Sequence, residues 1–317
     1  MMPPAFWQTD GVLPRLLAPA AAVFAAATAR RVARPGWTAP VPVLCCGNAG
    51  VGGAGKTTLV LDLVARLQAR GVVVHCLTRG YGGQMRGVVR VDPARHGAAL
   101  VGDEPLLLAA VAPTWAGADR AASARAAVAA GARALLMDDG LQNPGLRHQG
   151  LLVIDGAVGF GNGRVLPAGP LREPAAVAAA RCRAAVLIGV DAAQARAALP
   201  PGLPVLAARL APDAVLPGMR VLALSGIARP SKFHETLEMA GADVVATADF
   251  PDHHAYTDAE IAAVLDRAAG LGAVPVTTPK DAVRLPRAQR DRVRVLGVRL
   301  AWDDPAAIEA LLAEAVP

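Results

Sequence analysis

A chain of 317 residues, 54% apolar and 18% charged, is long enough for one large core or two medium ones. Its net charge of +6 suits an acidic partner, yet no dense Lys/Arg run with interleaved aromatics occurs, which excludes a nucleic-acid-binding tract. Lysine occurs only at Lys56, Lys232 and Lys280, and Cys45, Cys46, Cys76 and Cys182 form no C-x-x-C pair, so they read as reduced core thiols of a cytosolic protein.

The first element in chain order is apolar. Residues 16–29 are a 14-residue stretch without charge, followed by Arg30, Arg31 and Arg34. A bilayer span needs about 20 residues, so this one is too short. Ala27-Thr28-Ala29 mimics a signal-peptide cleavage site, but Asp10 precedes it and only Arg15 supplies a cation there. An apolar helix closed by arginines suits peripheral docking on an anionic membrane face. An ordinary helix buried against the domain is the competing reading.

"VPVLCCGNAG" (41–50) is a short apolar run closing in Gly and Asn, a buried strand. Residues 57–68 carry Leu and Val on most sides and predict a helix packed on a sheet, ended by Gly71. "VVVHCLTRGYGG" (72–83) is a second strand entering a glycine-rich loop. "ARALLMDDG" (132–140) and "GLLVIDG" (150–156) are apolar runs with an aspartate at the carboxyl end, and "AAVLIGV" (184–190) repeats the pattern without the acid. Strands alternating with helices predict parallel pairing and a three-layer α/β/α sandwich.

A second set of strands follows at "RVLALSGIARP" (220–230), "GADVVATADF" (241–250) and "AVPVTTPKDA" (273–282), with helices around 231–240 and 257–269. Extended runs at 204–212 and 292–302 flank this set and are expected to pair as a two-stranded linker. The expected division is a nucleotide-binding domain over 1–203, carrying the membrane-facing helix, and a smaller α/β domain over 204–317.

The chemistry concentrates in a few segments. Gly50, Val51, Gly52, Gly53, Ala54, Gly55, Lys56 and Thr57 satisfy G-x-x-x-x-G-K-[ST] between a strand and a helix. Backbone N–H groups of such a loop turn toward phosphate oxygens, Lys56 neutralises the β- and γ-phosphates, and Thr57 holds Mg²⁺. A magnesium site needs a carboxylate at a nearby strand end. The double acid Asp138-Asp139 in "MDDGLQN" fits that better than Asp155, which reads as a turn or cap residue. In "VGDEP", Asp103 reads either as a helix N-cap or as a general base beside Glu104. In "DFPDHHAY" (249–256), adjacent His253 and His254 point in different directions, so one at most serves a given site. "GPLREP" (169–174) offers Arg172 as a phosphate partner beside Glu173.

Together these motifs resemble the tetraacyldisaccharide 4'-kinase family. The resemblance rests on "GNAGVGGAGKTT", "TRGYGG", "VGDEP", "MDDGLQN", "LPAGPLREP", "SGIARP", "FPDHHAY" and "TTPKDAVRL", which follow the family's order from about residue 40 to 285. It implies transfer of the ATP γ-phosphate to the 4'-hydroxyl of a tetraacylated disaccharide 1-phosphate, with Mg²⁺, by a monomer peripherally attached to the cytoplasmic face of the bacterial inner membrane. Carried over, Asp103 is the base and His253 its dyad partner, Lys56 and Thr57 bind phosphates and metal, and Asp138 and Asp139 complete the metal site. Glu104, Arg172 and Glu173 support the transferred group, and Arg120, Gln142 and Arg172 contact substrate. The family usually has proline after the P-loop Thr or Ser, where this chain has Thr58, a second hydroxyl at the helix start. A GTPase switch is the rival from another class; it needs an N/T-K-x-D segment, and "TPKDA" lacks the spacing.

Overall fold

The computed structural model describes residues 4–317, so residues 1–3 of the expected first domain lie outside the described residues. In chain order the strands are β1 Val43–Gly47, β2 Val74–Thr78, β3 Val89–Arg90, β4 Thr114–Ala116, β5 Ala134–Asp138, β6 Gln149–Asp155, β7 Cys182–Ile188 and β8 Val205–Pro212. There follow β9 Arg220–Ser225, β10 Asp243–Asp249, β11 Val274–Thr277, β12 Arg294–Val295 and β13 Val298–Trp302. Nine form one sheet, ordered β13-β8-β7-β6-β1-β5-β2-β4-β3, and four form another, β10-β9-β11-β12. The small sheet is wholly parallel. The large one is parallel inside and antiparallel at its two edges, β3 against β4 and β13 against β8.

Every residue of β1 and β5 is buried, as continuous apolar runs covered on both faces require. Alternation then splits β1 between two cores. Leu44 and Cys46 pack with Leu59, Leu63 and Leu67 of the helix Lys56–Ala69, while Val43 and Cys45 pack with Met137, Leu152 and Phe160 on the opposite face. Leu59, Leu63 and Leu67 recur every four residues and are fully buried, each contributing about 1.5–3 kcal/mol of apolar burial. β1 lies between β5 and β6, so the chain leaves its carboxyl end at a point where the strand order reverses. Ligand crevices open at such points in parallel sheets.

The small sheet repeats the arrangement, with Leu222 and Leu224 facing one core and Val221 and Ala223 the other. Its helix Asp258–Gly270 begins with a capping box: the Thr257 hydroxyl accepts from the Glu260 N–H, and the Glu260 carboxylate accepts from the Thr257 N–H.

The run 292–302 is two strands. Arg294–Val295 joins the small sheet beside β11, and after Gly297 the chain pairs antiparallel with β8, Leu300 opposite Leu210. β8 is itself bonded to β7, so the pair forms an edge of the large sheet rather than a free ribbon.

The amino-terminal apolar stretch also divides, into Val12–Leu16 and Ala18–Val32. Of the longer helix only Ala21 and Thr28 are buried, which the buried-helix reading does not accommodate. Val12, Leu16 and Val23 are more than 70% exposed, and Arg30, Arg31 and Arg34 are exposed beyond them. Asn162 ties this segment down by donating to the carbonyls of Phe6 and Thr9. Among the described residues no helix is long and apolar enough to cross a membrane.

Candidate active site

The glycine loop takes its shape from conformations closed to other residues. Gly52 and Gly55 have φ of 112° and 88°, and a Cβ on Gly55 would stand 2.7 Å from Ile188 Cδ1. The segment "GPLREP", more than a hundred residues downstream, lies along the loop. The Val51 N–H donates to the Pro170 carbonyl at 2.9 Å, and the Arg172 N–H to that of Ala49 at 2.7 Å. Lys56 opens the following helix, and its Nζ donates to Asn48 Oδ1 and the Gly52 carbonyl, both at 3.2 Å. Thr58 sits in the same first turn.

β5 delivers the two acids beside this loop, and they differ. Asp138 is 4% exposed; its Oδ2 accepts from the Thr57 hydroxyl at 2.9 Å, and its Oδ1 is buried with no partner among the described residues. Burial pushes this carboxyl up to about 6 against the opposing pull of Lys56 and Thr57. Asp139 has φ of 54°, outside the strand conformation, and its carboxylate turns to Arg172, which donates from Nη1 at 3.0 and 3.2 Å and from Nη2 at 3.2 Å. Lys56 Nζ is 3.9 Å away. Burial raises the Asp139 carboxyl, but the charges of Lys56, Arg172 and Arg120 outweigh it and hold it below its ordinary value. An unpartnered buried carboxylate oxygen beside a hydroxyl fits a hard, oxygen-seeking cation such as Mg²⁺.

Behind these groups stand Gln142 and Arg120, 8% and 3% exposed. The Gln142 amide donates to the Asn48 carbonyl at 3.1 Å and to Glu173 Oε1 at 2.8 Å, and Glu173 also accepts from Arg181 at 2.7 Å. Arg120 donates to the carbonyls of Gly117 and Asp139, with Nε buried and without a partner among the described residues. Burial lowers its guanidinium to about 10, against the nearby acids. Two of the three side chains expected at the substrate, Arg120 and Gln142, are thus hydrogen-bonded within the protein.

Asp103 does not cap its helix. Gly102, at φ 91°, is the N-cap residue; a Cβ there would collide with the Tyr81 carbonyl of the "TRGYGG" loop. Asp103 therefore lies in the first turn with its carboxylate free for other partners. It is 5% exposed, and Oδ2 accepts from His253 Nδ1 at 2.8 Å. His253 comes from the loop after β10 in the small sheet, at φ of 59°, with its N–H donating to the Gly226 carbonyl. The hydrogen bond to Asp103 raises its imidazole above the ordinary value, against desolvation. His254 turns the other way, stacking on Phe250 with ring centroids 4.8 Å apart and bonding Glu260 at 3.1 Å. Glu104 Oε1 pairs with Lys280 Nζ at 2.7 Å, and the Glu104 charge contributes to the rise at Asp138, which places the two acidic pairs in one electrostatic field.

Several participants escape sequence reading: Asn48, Lys280, Asp281 and Arg284. Lys280 and Arg284 are tied locally: Lys280 lies in the short helix Pro279–Ala282, and Arg284, in the turn that follows, donates to its carbonyl. Asp155 bonds the Ala157 N–H within its own turn, and its other oxygen accepts from Arg229 and Lys232 at 2.7 and 3.0 Å.

A phosphate-shaped loop at a switch point, a lysine and a hydroxyl at the helix start, and a buried acid beside them define a P-loop nucleotide-dependent phosphotransferase. The tetraacyldisaccharide-1-P 4'-kinase family matches residues 13–316, and the chain belongs to it and is an enzyme of that kind. It is similar to the tetraacyldisaccharide 4'-kinases of Gluconacetobacter diazotrophicus, 61% identical over 98% of this chain and 97% of that protein, and of Rhodospirillum centenum, 56% identical over 99% and 96%. A crystal structure of LpxK from Aquifex aeolicus in complex with ATP superposes with a TM-score of 0.77 at 25% identity, over 96% of this chain and 100% of that one.

Proposed function

We propose that this chain transfers the γ-phosphoryl group of ATP to the 4'-hydroxyl of a tetraacyldisaccharide 1-phosphate, with Asp103 receiving the hydroxyl proton and His253 completing a dyad. The observation that carries the reading is the 2.8 Å hydrogen bond from His253 to Asp103, which joins an acid at the start of the helix Asp103–Ala109 to an imidazole in the loop after β10. On this reading 1–203 is the nucleotide lobe and 204–317 the smaller one, although β8, β13 and the helix Pro305–Ala315 of the second segment pack on the large sheet.

Each residue has a part that follows from its surroundings. The loop residues 50–58 cradle the phosphates, with Lys56 Nζ leaving its two oxygen partners for them. Thr57 and Asp138 would hold Mg²⁺, which when bound neutralises phosphate charge that builds up in transfer. Asp139 is locked by Arg172 and faces Lys56, so it sets the position of both cations. Arg172, 31% exposed, presents the unbound side of its guanidinium to a phosphate. Glu173 and Gln142 brace the loop, Arg120 holds the turn at Asp139, and Glu104 places Lys280 at the cleft. As the 4'-oxygen bonds to phosphorus and the bond to ADP breaks, the proton passes to Asp103, whose charge the His253 imidazole keeps oriented.

The substrate class fits the surface. Exposed Leu16 and Val23, with three arginines beyond, offer a monomer a means of lying on the anionic cytoplasmic face of the inner membrane, where an acylated acceptor resides. Incubation with labelled ATP and the disaccharide 1-phosphate, with and without Mg²⁺, tests the reaction. D103N should lose about 10²–10⁴-fold in kcat while binding ATP as before, and an unchanged kcat would remove Asp103 from the base role.

A further inference from the structure

The Arg284 side chain is only 4% exposed, and an ion buried to that degree persists only if its partners are well placed. Its partners come from four segments. Nε donates to the Lys280 carbonyl at 3.1 Å and lies 3.3 Å from Asp103 Oδ2. Nη1 donates to the His254 carbonyl at 3.0 Å, and Nη2 to the Gly226 carbonyl at 3.0 Å and to Asp281 Oδ1 at 2.7 Å. Asp281, fully buried, is in turn held by the Tyr256 hydroxyl, the Gly226 N–H and the Thr278 hydroxyl. The guanidinium is thus braced by its own lobe and directs one edge at the acid of the other.

Two features tie this brace to the chemistry. Gly226 O accepts from Arg284 and also from the N–H of His253, the residue with the left-handed backbone. A non-glycine residue keeps φ near 60° only where its surroundings enforce it, and the shared carbonyl is part of that enforcement. On the other side, Arg284 and His253 both engage Asp103 Oδ2, and no donor among the described residues is bonded to Oδ1. One oxygen is pinned from two directions while the other stays free for an incoming hydroxyl.

We propose that Arg284 is a positioning residue of the transfer reaction: it holds the Asp103 carboxylate and the His253 backbone in one fixed relation across the two lobes. This rests on the reading of Asp103 as base. A planar fork with five N–H donors can bind three carbonyls and two carboxylates at once; a lysine ammonium cannot. A shift of about 1 Å in a reacting group costs about a hundredfold in rate, so R284M should lower kcat by about that factor and leave KM for ATP within about twofold.

The test is a double-mutant cycle on the full chain, with the disaccharide 1-phosphate dispersed in detergent. D103N alone decides the base reading: at wild-type kcat that reading fails and takes this one with it. With D103N impaired, R284M should cost about a hundredfold in the parent but less than about threefold in the D103N background, because only a positioning residue loses its effect when its target is gone. R284K should recover part of the loss, and added guanidinium should raise the rate of R284A. An equal loss in both backgrounds, or R284M at the parent kcat, overturns the role of Arg284 and leaves that of Asp103 standing. Should R284M fail to fold by circular dichroism, R284K is carried through the same cycle and judged by the same criterion.

Discussion

Asp138 gives the sharpest conflict between folding and function. Burial raises its carboxyl from 3.8 to about 6, so the ionised form, which a metal requires, is the form the fold resists. The fold binds the proton more tightly than the unfolded chain does, so stability falls as pH rises from about 4 to about 6 and then stays level. Two pKa units at about 1.4 kcal/mol each make the full cost about 3 kcal/mol at about pH 7.5. D138N removes that charge, keeps an oxygen for the Thr57 hydroxyl, and puts an amide where Oδ1 has no partner, a replacement costing about 1–2 kcal/mol. The variant is therefore expected to be more stable than its parent by about 1–2 kcal/mol at about pH 7.5 in the presence of a chelator, and inactive.

The acid side provides the check. At about pH 4 most of the parent's penalty is gone, leaving less than the cost of the unpaired amide, so the order of stability reverses. Thermal unfolding of both proteins with EDTA, from about pH 4 to 8, reads this out as melting curves that cross, with a gap of roughly 2–6 °C at the upper end. A variant less stable at every pH, or a gap independent of pH, would refute the argument that burial of this charge is what strains the site.

Two further outcomes are expected. The stabilisation from the His253–Asp103 bond is complete below about 6.5, the ordinary imidazole value, and fades as pH rises through the raised value in the fold; H253Q should thus lower the melting temperature more at about pH 5.5 than at about pH 9, and an equal drop at both would show that the imidazole is held neutral. Exposed Leu16 and Val23 are expected to enter the lipid surface, so L16E/V23E should reduce cosedimentation with anionic vesicles severalfold and spare activity on detergent-dispersed acceptor; unchanged sedimentation would assign membrane contact to another surface.

The chain's own pattern determined whatever depends on contiguous residues. The buried strand, the glycine turn and the helix around Lys56 are consecutive, and each is specified by its apolar spacing or by a φ that glycine supplies. Strand ends carrying Asp138 and Asp155, and the extended runs at 204–212 and 292–302, were legible for the same reason. The break near Gly297 was not, because both halves are equally extended and only the competition between two sheets divides them. Tertiary structure alone decided partners. "DHHAY" offers two imidazoles of identical chemistry, and the loop sends His253 to Asp103, 150 positions away, and His254 to Glu260. Likewise "MDD" offers two equal acids until the sheet buries Asp138 beside Thr57 and turns Asp139 to Arg172. Local sequence sets backbone conformation over a few residues, but the direction of a side chain across a cleft follows from how two sheets pack, and no short stretch of the chain contains that relation.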